Sequence, residues 1–332
     1  MGIWSRIPGV SLTRKNNLGT ALRTYATAPR NSQTLSLRDG RHIGYAEYGN
    51  SKGFPLLYSH GFPSSRLEGF AFDYLARQRN LGVVAPDRPG YGLSTFQPKR
   101  RILDYPANIQ QLVDHLDISK FAVLGSSGGG PYALACAHLL QHERLSAVGI
   151  LAGAGPWEAG RQYVSTGRKL TSLAATHTPT VLKAILDAAV SASRWAVSTR
   201  PATQWLDDWL ERQESAEDST MLTEERREMM LRMVFQAFAQ GGAATVHEAV
   251  LLTHDWVFRF EDITYDGVRI WHGKKDAQSP IEMAAIWPND YRTASSTNLE
   301  EKQLYGGKSW DIAEILPQLV PEQVVQGHLA AS

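Results

Sequence analysis

Residues 121–140 read FAVLGSSGGGPYALACAHLL, and the reading of this stretch decides the fold. An apolar run from Phe121 to Leu124 meets two adjacent serines set among four glycines. A short, fully apolar run that ends in glycine reads as a buried strand. The segment after it, PYALACAHLLQHE, reads as a helix opened by proline, which a first helical turn tolerates. The glycines therefore mark a sharp strand-to-helix turn. Only Ser127 fits a Gly-x-Ser-x-Gly frame, Gly125-Ser126-Ser127-Gly128-Gly129, because the position two before Ser126 is Leu124. Such a turn lifts the central hydroxyl out of the sheet, and small neighbours leave room for the bend. It also places the Gly128 N–H at a helix N-terminus, where developing negative charge is held.

Two other uses of a glycine-rich loop are disfavoured. A phosphate-binding loop ends in Gly-Lys-Ser or Gly-Lys-Thr, which is absent here. A dinucleotide fingerprint laid on Gly128 to Ala133 starts too late after the strand. The region where an acidic ribose ligand would fall reads SAVGILAGAG. No cofactor is expected. The histidines are scattered without ligand spacing, so no metal is expected either.

Outward from this seam the same alternation repeats. Upstream, QTLSLRDGRHIGYAEYGN alternates apolar and polar residues around Asp39-Gly40, a hairpin signal. GFPLLYSHG and LGVVAPDRPGYGLS are buried strands running into loops, with a helical stretch, SRLEGFAFDYLARQRN, between them. ILDYPANIQQLVDHLDI reads as a helix started near Pro106, and LSAVGILAG as a further strand. Fully apolar strands alternating with helices predict an α/β fold: a mostly parallel central sheet with helices on both faces. From Trp157 to Trp256 the strand-like runs stop. QWLDDWLERQ and REMMLRMVFQAFAQ carry apolar residues at helical spacing. Sheet logic resumes with YDGVRIWHGKKD. The expected organisation is a basic leader over 1–32, an α/β core over 33–156 and 257–332, and an inserted helical cap over 157–256.

The composition narrows the function classes. The chain has 332 residues, 43% of them hydrophobic, and a formal net charge of +1. With no basic stripe interleaved with aromatics, a nucleic-acid partner is not expected. No apolar run reaches the ~20 residues of a membrane span. A single cysteine, Cys136, excludes an internal disulfide and reads as a packed small hydrophobe. Met1 to Arg38 contains no Asp or Glu, and Arg6, Arg14, Lys15, Arg23 and Arg30 are spread among small residues. That is transit-peptide composition and predicts a mitochondrial address, with cytoplasmic residence the alternative.

These motifs together resemble the α/β-hydrolase superfamily over about Leu35 to Asp276, including the position of the cap. HGFPSSR (His60 to Arg66) is similar to the family's oxyanion loop, and PDRPGYGLS to its loop after the fourth strand. LGSSGGG is similar to the elbow that carries the nucleophile, and WHGKKDAQSP to the loop that carries the acid. The resemblance implies Ser127 as nucleophile, Asp276 as acid, and the N–H groups of Phe62 and Gly128 as the oxyanion hole. It implies His60 as structural, and it implies a small-molecule acyl or ester substrate. The Met- and aromatic-rich cap points to an apolar one. The departure is the base. No histidine lies between His272 and His328, where relatives carry theirs. Either EQVVQGH is the last strand and His328 is the base, or His328 lies on a tail. In the second case the protein is a weakened or inactive member that binds a small apolar ligand. Asp255 is a weaker candidate for the acid, and His247 and His254 read as cap residues.

Overall fold

A computed structural model describes residues 29–157, 162, 164–212, 223–272, 302–304, 307–309 and 312–331. Most of the expected leader and the Asp276 loop lie outside the described residues. The centre is a seven-stranded sheet. Its strands are β1 (Gln33–Ser36), β2 (His42–Gly49), β3 (Phe54–Ser59), β4 (Leu81–Pro86), β5 (Phe121–Ser126), β6 (Leu145–Leu151) and β7 (Val268–Trp271), in the spatial order β1-β2-β4-β3-β5-β6-β7. β1 and β2 pair antiparallel as a hairpin closed around Asp39-Gly40, and β2 pairs antiparallel with β4. The rest, β4-β3-β5-β6-β7, is parallel.

The strands are apolar throughout because both faces are covered. Leu57, Val84, Val123 and Val148 point to one face, which buries α2 (Tyr105–His115) and α3 (Gly130–Leu139). Their neighbours Leu56, Val83, Leu124 and Ala147 point to the other. That face buries α1 (Asp73–Gln78), α9 (Ile312–Leu319) and α10 (Glu322–Ala331). A period of two along each strand thus serves two cores. Pro106 and Pro131 fall in the first turns of α2 and α3, where the missing N–H costs no hydrogen bond.

Between β6 and β7 the described residues form helices and no strand: α4 (Thr166–His177), α5 (Pro179–Ala196), α6 (Arg200–Arg212), α7 (Thr223–Ala237) and α8 (Ala243–Leu251). Ser165 caps α4, its Oγ accepting from the Arg168 N–H. Leu206 and Leu210 of α6 are buried against Met230 and Leu231 of α7, while Trp205 is exposed. Ala175 of α4 and Val246 and Ala249 of α8 close over Phe62. A separate two-stranded ribbon, β8 (Lys302–Leu304) with β9 (Gly307–Ser309), does not join the main sheet.

The expected terminal strand EQVVQGH is a helix. Val325 is buried in the second core and Val324 packs against it. This is the edge of a helix lying on the sheet face rather than a rung within the sheet.

Candidate active site

Ser127 follows β5 directly. Its backbone is left-handed, φ 50°, while Ser126 before it is extended and Gly129 after it is helical. A non-glycine residue in this region costs about 1–2 kcal/mol, so packing must hold it there. The packing is visible at the glycines. A Cβ on Gly125 would stand 2.4 Å from the Gly129 carbonyl oxygen and 2.9 Å from the Ala133 methyl. A Cβ on Gly129 would stand 2.1 Å from the Ser59 carbonyl oxygen. These glycines are required by close approach, not by their own dihedral angles. Within the elbow itself, Gly125 to Gly130, the left-handed strain falls on the serine.

The same closeness brings the loop after β3 to the elbow. A Cβ on Gly128 would lie 2.5 Å from the Phe62 Cβ and 3.3 Å from the Phe62 nitrogen. A Cβ on Gly61 would lie 3.7 Å from that of Ser127. Ser127, Gly128 and Phe62 therefore meet at one point. There they line a cavity of about 270 Å³ together with Pro63 and Ala154. The opposite wall comes from the helical segment: Arg168, Thr171 and Ser172 of α4, Ala249 of α8, and Leu252 and Thr253 just beyond it. Ser172 donates to Thr253 at 2.8 Å, and Thr253 donates to the Ala249 carbonyl at 2.6 Å. The lining is mixed, with one guanidinium and several hydroxyls beside apolar groups.

His60 is fully buried, and its role is legible from its two nitrogens. Nε2 lies 3.2 Å from the Arg88 N–H and so accepts; Nδ1 then carries the proton and donates to the Gly61 carbonyl at 2.8 Å. Burial, reinforced by the Arg88 charge, pushes its pKa well below the usual histidine value, so the ring is neutral. Asp87 is also fully buried. Burial raises its carboxyl, against the pull of Arg66 at 3.0 Å. Its oxygens accept from the Arg66 and Leu93 N–H groups and so tie the loop after β4 to the loop after β3.

Of the residues singled out from the sequence, Ser127, Gly128 and Phe62 are brought together. Asp276 lies outside the described residues. His328 is not brought to the elbow: it lies on α10 with its ring 5.5 Å from that of Phe54, centroid to centroid. Phe54 opens β3 and Ser59 closes it, so the residue that His328 packs on is about 16 Å along the strand from Ser59, at ~3.3 Å per residue. Ser59 is the residue in register with Gly125 beside the elbow. The reason is the helix: α10 brings His328 to the amino end of β3, whereas Ser127 stands at the carboxyl end of β5. His247 is engaged with the Arg100 carbonyl at 3.2 Å, and His254 with the Val250 carbonyl at 2.9 Å. Asp255 is exposed and accepts from the Val257 N–H. Cys136 is buried, its thiol pushed up by burial alone. Among the described residues, no cluster of three or more His, Cys, Asp or Glu could hold a metal, and no helix is long and apolar enough to cross a membrane.

Sequence reasoning missed a buried ionic network behind the site. Glu248 of α8 accepts from Arg88 Nε at 2.8 Å and from Arg100 Nη2 at 2.6 Å, and all three side chains are almost wholly excluded from solvent. Arg100 also donates to the Tyr132 hydroxyl at 2.7 Å. The one sequence signal was the charged pair Asp87-Arg88 at the end of an apolar strand.

Fold and site together define an α/β protein of hydrolase type, with a strained serine at the carboxyl edge of a mostly parallel sheet. Residues 56–293 match the family described as "Alpha/beta hydrolase family", and the chain belongs to that family. Among curated proteins it is 33% identical over 142 residues to the dihydrolipoyllysine-residue acetyltransferase component of the acetoin cleaving system of Pseudomonas putida. That match covers 42% of this chain and 37% of the relative. It is 30% identical over 98 residues to the non-heme chloroperoxidase of Streptomyces lividans, covering 29% of this chain and 36% of the relative. The chain thus spans little more than a third of the length of these relatives. Among solved structures, a hydrolase from Pseudomonas aeruginosa PA01 superposes with a TM-score of 0.51 at 19% identity, over 77% of this chain and 84% of that one. That likeness concerns the fold.

Proposed function

We propose that the protein is a serine hydrolase that acts on an ester-like acyl substrate held in the cavity above Ser127. The observation that carries this reading is the left-handed serine at the cavity floor, with the Phe62 and Gly128 backbones beside it. A serine held at φ 50° against its own preference is over-determined by its surroundings, and such strain concentrates at reacting groups. In this reading Ser127 Oγ attacks the substrate carbonyl, its proton passes to a base, and the carbonyl oxygen becomes an oxyanion. The two N–H groups stabilise that charge by about 3 kcal/mol per donor. Collapse of the oxyanion breaks the bond to the alcohol, which leaves with the proton taken up by the base. Water, giving its proton to the same base, then attacks the acyl–serine ester, and the acid departs as Ser127 Oγ regains its proton. Asp276 is the acid of the reading. It follows β7, whose carboxyl end opens on the same side of the sheet as Ser127 because β5, β6 and β7 run parallel. The helical segment over the cavity acts as a cap, and the Arg168 guanidinium and the hydroxyls on its wall meet the polar part of the substrate.

The place of His328 on the far end of the sheet favours a second reading as well. In it, the chain is a slow or inactive family member whose cavity binds a small ligand. One experiment separates the two. A fluorophosphonate reacts with a serine that is activated as a nucleophile. In the full chain, labelling at Ser127 that is lost in Ser127→Ala supports the hydrolase. A chain that stays unlabelled while binding small esters at the cavity refutes it.

A further inference from the structure

We infer that Arg88 is a positioning residue for the oxyanion hole, and that Glu248 of the helical segment holds it in place. The inference rests on the hydrolase reading and goes beyond it.

The geometry starts at one peptide group. The carbonyl of Gly61 and the N–H of Phe62 belong to the same peptide, which is trans; the cis bond in this loop is the next one, Phe62-Pro63. In a trans peptide the C=O and N–H point in opposite directions. Whatever anchors the Gly61 carbonyl therefore aims the Phe62 N–H. Two donors anchor it: Arg88 Nη2 at 2.8 Å and His60 Nδ1 at 2.8 Å. Arg88 Nη1 holds the preceding carbonyl, that of His60. On its other side Gly61 donates its own N–H to Glu68 at 3.0 Å. The peptide plane has little freedom left. Its N–H points away from Arg88, and its nitrogen lies beside the elbow, 3.3 Å from where a Cβ on Gly128 would stand.

The fork of Arg88 suits this task in a way lysine does not. One guanidinium serves two successive carbonyls and a carboxylate at the same time. Its plane is fixed by Glu248, whose Oε1 accepts from its Nε at 2.8 Å and lies 2.5 Å from its Nη2 in the same ion pair, and by the Tyr132 ring, 4.8 Å from its central carbon. Glu248 belongs to α8, the helix whose Ala249 and Val246 also pack on the Phe62 side chain. The segment that roofs the cavity and the peptide that receives the oxyanion are thus joined through one carboxylate.

The test uses Arg88→Met in the full chain. Glu248 keeps Arg100 as its partner at 2.6 Å, so the change leaves a balanced buried pair rather than an orphaned charge. Wild type and variant are compared for the saturating rate of fluorophosphonate labelling and for the reversible inhibition constant that precedes it. An isotope-edited infrared spectrum of the acyl enzyme adds the stretching frequency of the acyl carbonyl. The expected result is a labelling rate lower by about 10²-fold, the cost of a ~1 Å misplacement, with an inhibition constant within about threefold. The acyl carbonyl is expected at higher frequency, as a weakened hydrogen bond requires. A folded Arg88→Met protein with wild-type rate and frequency overturns the inference. If Arg88→Met does not fold, Arg88→Lys is measured in the same way, and the same outcomes decide. A wild type that does not label at all refutes the hydrolase reading itself, and this inference with it.

Discussion

Gly129→Ala tests how tightly the elbow is built. Gly129 has φ −79° and ψ −17°, an ordinary helical conformation, so alanine adds no backbone strain. Its new Cβ, however, would stand 2.1 Å from the Ser59 carbonyl oxygen and 2.7 Å from that of His60. A carbon–oxygen contact settles at about 3.3 Å or more, so one atom must move by roughly 1 Å. Ser59 cannot yield by itself, because β3 is held between β4 and β5 in continuous register. The loop from His60 to Phe62 must give way, or the elbow must back off from it. Overpacking of this kind costs about 1–3 kcal/mol. The displacement falls on the peptide proposed as oxyanion donor, where ~1 Å lowers the rate by about 10²-fold. The control is Gly167→Ala in the first turn of α4, where a Cβ meets nothing within 4 Å. There alanine is expected to be neutral or to stabilise by about 0.5–1 kcal/mol, with labelling unchanged. Urea unfolding and fluorophosphonate labelling rates read both variants. A Gly129→Ala protein as stable as wild type, labelling within about threefold of it, refutes the reasoning.

Two further outcomes follow from the placement of histidines. His328→Ala is expected to leave Ser127 labelling unchanged and to cost about 1 kcal/mol through loss of the Phe54 ring contact; a labelling rate reduced by orders of magnitude would instead return His328 to the triad. The neutral, buried His60 makes stability fall with acid. Its folded pKa is depressed, so above the unfolded value of about 6.5 neither state binds the proton; below it only the unfolded chain does, and stability drops by up to about 1.4 kcal/mol per pH unit. His247 shifts in the same direction through burial and adds to the slope. Urea unfolding from pH 7.5 to 5 checks this, and His60→Gln, which cannot take up the proton, should show a shallower loss.

What the sequence made legible was local. The strands of the parallel sheet declared themselves because both faces are buried, which leaves no polar residue to interrupt Leu56-Leu57, Val83-Val84 or Ala122-Val123-Leu124. The elbow declared itself because close packing at Gly125, Gly128 and Gly129 excludes any side chain, so composition records geometry. The end of the chain misled for a physical reason. VVQGH holds two adjacent β-branched residues before a glycine, and so short a run carries no period that separates strand from helix. Only the sheet face beneath it, which takes Val325, settles the matter. The Arg88–Glu248–Arg100 network was barely legible, its one trace being the charged pair Asp87-Arg88 at the end of an apolar strand. Its partners are 160 and 148 positions apart, and each charge taken singly reads as a solvated surface group.

That network also bears on why a buried ionic group is kept here. Two guanidiniums and one carboxylate removed from water gain little net stability, since apolar residues of similar volume commonly hold a core as well or better. Stability therefore does not account for the charges in this position. An apolar replacement for Arg88 would still pack between Tyr91 and Tyr132, whose rings now lie 5.7 and 4.8 Å from its central carbon. It would offer nothing to the carbonyls of His60 and Gly61. Those two acceptors lie next to the elbow, on the peptides that lead into Phe62. The feature that an apolar core cannot reproduce is thus a pair of donors that fixes the orientation of one peptide plane. That plane is the one whose N–H, in the hydrolase reading, meets the oxyanion.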